Sequence, residues 1–418
     1  MKAFFIRITA LVAALCLLCA LPAGNTAAYA AAGETAALTC RAADEWNALF
    51  DRRGKRAEGW LGADGIYTVP TSNGKTVFLF SDTLVGTSDK NGKTENAKMP
   101  NHTAAVLNGT QPYSSRMTFY YGTDGRRRDG WNLFGERFWL FDGVYLNDTL
   151  YILAFMPSQE LKPLCVRLVS VPVRNGTPEF EKYGVGTDIP ELCARSADGK
   201  YIYAFGQGIT DCSAEDGFIY VYGFKDPLAG DESRNLIVSR IKAEDFGDFS
   251  RLTYWDGAGW STDIETCADA AQNVGCEMSC TKIASGPLAG KYILVWMWAT
   301  MSGRLAYAIG DAPWGPFSEP VFFYDAPEHG TPAANGTDTL YTYNAKAHPA
   351  LSPDGELLIS YNVNSSGEQY TTDYHPRFLY LTLDPDAAEK NGSASFATRL
   401  RAFLERIFVF FLRFSSKH

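Results

Sequence analysis

The chain has 418 residues, a formal net charge of -9 and 14% aromatic residues. A shortage of Lys and Arg argues against general nucleic-acid binding, which needs a basic face to neutralise phosphates. The length allows one large β domain or two ordinary ones with a substantial core, and abundant Tyr, Phe and Trp suits strands and sugar-binding surfaces.

Met1-Lys2, Arg7, the apolar block from Ile8 to Leu21 and the small-x-small run Ala28-Tyr29-Ala30 predict a secretory signal peptide over 1–30. The protein is therefore expected to be secreted or attached to the cell surface. Nine cysteines become seven once Cys16 and Cys19 leave with the signal. Export permits disulfides, and the odd count leaves at least one thiol free. Cys276-x-x-x-Cys280 has no histidine at zinc-site spacing, so these cysteines read as structural or disulfide-bonded, without a cofactor or metal. A structural cation in a channel stays open as an alternative.

Helical periodicity is confined to two short stretches, 43–52 and 263–273. Elsewhere short aromatic and β-branched runs alternate with Gly, Asp, Asn and Pro turns, which indicates an all-β protein. Aligned on their glycine turns, five hairpins emerge, led by Asp64, Asp142, Glu191, Glu277 and His348. Their mean spacing of about 70 residues leaves room for a four-stranded sheet in each unit, and five such sheets arranged radially make a five-bladed β-propeller. First strands line the channel of a propeller, so the five leading side chains are expected at one channel mouth, where Asp142, Glu191 and His348 would bind substrate. The alternative is that the acids cap strands and turns.

The first hairpin carries a second aspartate. Centring its turn on Asn73 sets Asp64 opposite Asp82, Ile66 opposite Phe80 and Thr68 opposite Phe78. Directly opposed residues share a face, with Cβ atoms about 4.5–5.5 Å apart. A slip of one residue makes the pair diagonal but keeps both acids at the same end. Two close carboxylates in a cleft cannot both ionise freely, and the pair divides into an acid and a base or nucleophile. Glycoside hydrolysis uses that division, at about 5–5.5 Å for retention or about 6.5–9.5 Å for inversion. Glu277 is a candidate third member. Asn101 and His102 could hydrogen-bond a sugar hydroxyl or simply face solvent. His348 could orient substrate, hold a cation or serve structure alone. Trp60, Trp139, Trp255 and Trp260 could stack on sugar faces or pack in the core.

After a polar linker over 385–395, residues 396–414 read as a basic, apolar helix. Its apolar run is too short to span a bilayer; it suits a membrane surface or packing on its own domain or a partner subunit.

Gly59-Trp60-Leu61-Gly62-Ala63-Asp64-Gly65, Phe80-Ser81-Asp82-Thr83, Asn101-His102-Thr103, Glu277-Met278-Ser279 and Asn344-Ala345-Lys346-Ala347-His348-Pro349 resemble a bacterial domain family of unknown function related to the endo-D-arabinanases of glycoside hydrolase family 183. The resemblance spans residues 45–383 and is densest in the first hairpin. It implies a five-bladed propeller glycosidase over 45–384 in which Asp64 and Asp82 are the essential pair. Ser81 stands where the arabinanase pattern has Gly, which leaves the substrate open. The expectation is a secreted enzyme cleaving a polysaccharide or oligosaccharide, for instance a furanoside such as arabinan; the alternative is a non-catalytic glycan-binding propeller at the cell surface.

Overall fold

The computed structural model describes residues 38–51, 57–89, 94–122, 131–159, 161–230, 233–367, 373–384 and 386. The expected signal peptide and C-terminal helix lie outside these residues, as does all of the expected linker except 386. No helix among the described residues is long and apolar enough to cross a membrane.

Five antiparallel sheets follow one another along the chain. Sheet one is Tyr67–Pro70, Lys75–Phe80, Thr103–Asn108 and Met117–Tyr120; sheet two starts with Trp139–Leu146, Thr149–Pro157 and Pro163–Arg174. Sheet three runs from Cys193–Arg195 through Tyr201–Cys212 and Phe218–Pro227 to Asn235–Lys242, with two short strands added. Sheet four is Met278–Lys282, Tyr292–Met297, Arg304–Gly310 and Val321–Asp325. Sheet five is Leu340–Ala347, Glu356–Ser365 and Pro376–Thr382, completed by the N-terminal strand Cys40–Ala42. The first and last described strands thus share a sheet.

Each sheet is apolar on both faces because successive residues of a strand point opposite ways. In Lys75–Phe80, Val77 and Leu79 pack against Leu150 and Ile152 of sheet two, whereas Phe78 and Phe80 pack against Leu358 and Phe378 of sheet five. Similar apolar clusters join sheets two and three, three and four, and four and five. The expected first helix is present as Asp44–Phe50. It places Trp46, Leu49 and Phe50 in the seam between sheets five and one, where the Trp46 indole donates to Tyr380 Oη at 3.1 Å.

The second expected helix is a single 3-10 turn, Ile264–Thr266. Beyond it the backbone is committed elsewhere: Leu236 donates its N–H to Ala271 O and accepts from Ala270 N, both at 2.8 Å. Nor are the cysteines bridged. Cys40, Cys165, Cys193, Cys212, Cys267, Cys276 and Cys280 are all free thiols, and four of them are buried.

The first hairpin has the expected register, with Thr68 opposite Phe78 around a turn in which Asn73 takes φ 58°. Its two arms run on past the sheet. Ala57–Ala63 pairs with Thr83–Ser88, placing Ala63 opposite Thr83 in a small sheet with Thr94–Lys98. Asp64 and Asp82 occupy the joint between these sheets.

The leading strands touch in succession: Tyr67–Pro70 meets Trp139–Leu146, which meets Tyr201–Cys212, then Met278–Lys282, then Leu340–Ala347. The circuit closes where the turn Pro349–Leu351 meets Tyr67–Pro70. Two expected hairpins are corrected here. In the fifth, the leading strand ends at Ala347, and His348 opens the turn that follows rather than the hairpin. In the third, Cys193–Arg195 is only three residues long; after a bulge between Phe205 and Gly208, the far half of Tyr201–Cys212 takes the leading position, which strands Glu191 away from it.

Trp46→Ala empties the seam that joins the first sheet to the last. Equilibrium denaturation is expected to show a loss of about 3–5 kcal/mol, whereas Tyr113→Ala, at an exposed aromatic, stays within about 0.5 kcal/mol of the parent.

Candidate active site

The joint in the first hairpin is built by a glycine and a serine. Gly65 has φ +62°, and a Cβ there would meet Ser81 Oγ at 2.5 Å, so the chain passes only without a side chain. Asp64 N–H donates to Asp82 O at 3.1 Å, and Ser81 N–H donates to Asp64 O at 2.9 Å. The Ser81 hydroxyl donates to Leu140 O at 2.9 Å and tethers the hairpin to sheet two. Serine is thus accommodated at the position where the arabinanase pattern has glycine.

Both carboxylates are half-buried, and their settings differ. Asp64 Oδ2 accepts from the Tyr343 hydroxyl at 2.7 Å. Asp82 Oδ1 accepts two donors, Asn101 Nδ2 at 2.8 Å and Trp139 Nε1 at 2.9 Å, while Tyr374 Oη donates to the Asp82 carbonyl at 2.7 Å. Burial, reinforced by the neighbouring Asp82 charge, holds Asp64 well above the usual carboxylate range despite the Tyr343 hydrogen bond. Burial also raises Asp82, but Asn101, Trp139 and the Arg137 charge pull it back. A single proton shared by the pair therefore favours Asp64.

A second group of charges adjoins the first. Glu277 and Lys346 are only 4% and 1% exposed, so both have left bulk water. They form an ion pair at 2.5 Å, Asn344 Nδ2 donates to the other Glu277 oxygen at 2.7 Å, and Lys346 Nζ donates to Asn344 O at 3.2 Å. The ammonium lies 4.5 Å from the Tyr67 ring centre, a cation–π contact. This pairing is what makes two buried charges tolerable. Burial still raises Glu277, and Lys346 opposes the rise. Asp142 accepts from the N–H groups of Gly143 and Ile209, both at 2.8 Å, and burial pushes it up to about 7. Glu277 acts on both Asp64 and Asp142 through its charge, so the structure brings together Asp64, Asp82, Asp142 and Glu277.

Strand irregularities aim several of these residues. Phe141 and Asp142 together oppose Leu153, and Asn344 and Ala345 together oppose Tyr361, with Asn344 at φ 57°. Such bulges re-aim side chains next to active sites.

Three other candidates are placed elsewhere. His102 is buried between Phe134 and Phe138, with ring centres 5.4 and 4.5 Å away. Its Nδ1 donates to Phe138 O at 2.9 Å and its Nε2 accepts from Phe134 N–H at 3.0 Å, so both nitrogens are used and burial lowers it to about 3. His348 is buried too, bonded to Thr68 Oγ1 at 2.9 Å and Ser360 Oγ at 2.8 Å, and lowered to about 3. It joins sheet five to sheet one. Glu191 is half-buried outside the group, its carbonyl accepting from the Tyr254 hydroxyl at 2.6 Å. Asn101 reaches the site, but its amide holds Asp82. Of the four tryptophans, Trp139 touches Asp82; Trp60 is buried against Phe119, and Trp255 and Trp260 pack with Trp314. Lys346, Asn344, Tyr343 and Tyr374 complete the site without a recognisable pattern of their own in the sequence. A lone lysine in the otherwise apolar end of Leu340–Ala347 was the available signal.

A Bacteroides ovatus protein described as a "putative hydrolase" has a similar fold, with 18% identity, a TM-score of 0.61 and coverage of 82% of this chain and 89% of that one. The GH43_1 enzyme from Xanthomonas citri aligns over 81% of this chain and 95% of its own, with 12% identity and a TM-score of 0.44. No curated protein sequence matches the chain. The family described as "Domain of unknown function (DUF5005)" matches residues 47–394, and the chain belongs to that family.

Proposed function

We propose that the protein is a glycoside hydrolase whose five sheets are the blades of a propeller and whose acid pair is Asp64 and Asp82. The observation that carries this reading is the unequal environment of two neighbouring, half-buried carboxylates: burial raises both, the Asp82 charge raises Asp64 further, and Asn101, Trp139 and Arg137 oppose the rise of Asp82. Protonated Asp64 donates to the glycosidic oxygen as the bond to the anomeric carbon breaks. Asp82, whose Oδ1 is held by Asn101 and Trp139, uses Oδ2 either to attack that carbon or to take a proton from the attacking water. Glu277, clamped by Lys346 and Asn344, contributes fixed charge beside Asp64, while half-buried Asp142 is the acid offered to sugar hydroxyls. The substrate proposed is a polysaccharide or oligosaccharide containing furanose, such as an arabinan, on the strength of the first-hairpin resemblance. The signal peptide expected over 1–30 supports a reading in which the enzyme acts outside the cytoplasm or at the cell surface, and the basic, apolar sequence over 396–414 would suit an anionic membrane surface.

Purified protein incubated with arabinans and other polysaccharides is expected to release new reducing ends. Asp64→Asn and Asp82→Asn should each lower the rate by about 10²–10⁴-fold without loss of fold by circular dichroism. Glycan binding without product, unchanged in both variants, would instead establish a binding protein.

The rate should follow a bell-shaped pH profile. Its acid limb reports protonation of Asp82 and its alkaline limb deprotonation of Asp64, and because burial raises both groups the bell lies above the ordinary carboxylate range. Asp64→Asn should abolish the alkaline limb of any residual activity; a limb that persists there assigns the acid to another group.

A further inference from the structure

We infer that Trp139 is a positioning residue for Asp82: its indole N–H, together with the Asn101 amide, occupies Oδ1 and leaves Oδ2 as the oxygen presented to substrate. The inference rests on the glycosidase reading and adds to it the residue that selects the working oxygen.

A carboxylate oxygen has two lone-pair directions. Asn101 Nδ2 and Trp139 Nε1, at 2.8 and 2.9 Å, fill both on Oδ1. Among the described residues Oδ2 accepts no hydrogen bond. The two donors come from different parts of the fold, so the carboxylate is held from two sides. Asn101 is fixed by its own N–H, which donates to Asn132 Oδ1 at 2.7 Å, and Asn132 Nδ2 donates in turn to Glu136 O at 2.8 Å. Trp139 is fixed by stacking on Phe155, with ring centres 5.6 Å apart and planes 29° apart. A bulge at Phe141 and Asp142 lies just beyond it in the same strand. It shifts the pairing by one residue, so Leu140 opposes Ala154 and Trp139 opposes Phe155, and the sequence neighbours Leu140 and Phe141 both join the cluster facing sheet one. Trp139 reaches the first hairpin, where its Nε1 donates to Asp82 Oδ1 at 2.9 Å.

An indole N–H is a donor only, so it stabilises the charged carboxylate without offering an acceptor to a protonated one. The other charged or titratable groups facing Asp82 are Asp64 across the hairpin, Arg137 ahead of sheet two and Tyr374 ahead of the third strand of sheet five. Only Asn101 and Trp139 give the Asp82 side chain hydrogen bonds among the described residues.

Trp139→Phe keeps an aromatic ring on Phe155 and removes the donor. In the wild type and this variant, with Asp82→Asn supplying the assignment, carboxyl-carbon NMR of aspartate-labelled protein follows the titration of Asp82. Losing the donor destabilises the carboxylate, so Asp82 should titrate at higher pH in Trp139→Phe, and Asn101→Ala should move it the same way. On a polysaccharide that the wild type cleaves, Trp139→Phe should lower kcat by about ten- to a hundredfold, leave KM within about twofold and move the acid limb of the pH profile upward. An unmoved Asp82 titration in a folded Trp139→Phe protein overturns the inference, even if the wild type is active. If Trp139→Phe does not fold, Asn101→Ala decides, because an unmoved titration there shows that Oδ1 is not held by these donors. A wild type that cleaves nothing defeats the glycosidase reading, while the titration still decides whether Trp139 sets the state of Asp82.

Discussion

The covering of every sheet on both faces governs the rest of this structure. A strand whose alternate side chains enter two different apolar seams, as Val77 and Leu79 enter one and Phe78 and Phe80 the other, has no face left for polar groups. The buried acids accordingly sit at strand ends or where the ladder is interrupted. Asp64 and Asp82 sit where one sheet gives way to another, Glu277 stands just before its strand, and Asp142 and Asn344 lie in bulges.

That placement also determines their electrostatics. The acids are pressed between apolar seams, so burial is the largest influence on each of them and raises all four carboxyl groups. What separates them is the local supply of donors and positive charge. Glu277 has the Lys346 ammonium, Asp142 has two backbone N–H groups, Asp82 has an indole and an amide, and Asp64 has the Tyr343 hydroxyl beside a competing negative charge. An acid and a base arise from two identical side chains because the donors are unequally distributed.

The histidines illustrate the opposite outcome. From the sequence, His102 is a candidate for bonding a sugar hydroxyl and His348 for orienting substrate or holding a cation. In the structure each ring uses both nitrogens on fixed neighbours and is held neutral by burial. His348 instead links the last sheet to the first, alongside the Trp46 seam and the N-terminal strand in sheet five. Closure of the ring thus rests on side chains brought together from opposite ends of the chain.

The all-β class, the helix Asp44–Phe50, the register of the first hairpin and the pairing of its two aspartates were legible in the amino-acid sequence. Turn residues such as Asn73 and period-two alternation act over a few positions, and they leave their mark locally. The second and fourth hairpins were legible for the same reason. The third was misplaced because a bulge near Gln207 passes the leading position to the far half of Tyr201–Cys212, and the fifth because its leading strand ends at Ala347 and the 3-10 turn Pro349–Leu351 follows; alternation along one strand records neither. The ion pair of Glu277 with Lys346, the hydrogen bond of Trp139 to Asp82 and that of Tyr343 to Asp64 join residues 69, 57 and 279 positions apart. Local sequence therefore determined which acids stand at the end of the first hairpin. Only the closing of five sheets upon one another decided which of them would be given donors, which would keep the proton and which histidines would be sealed away.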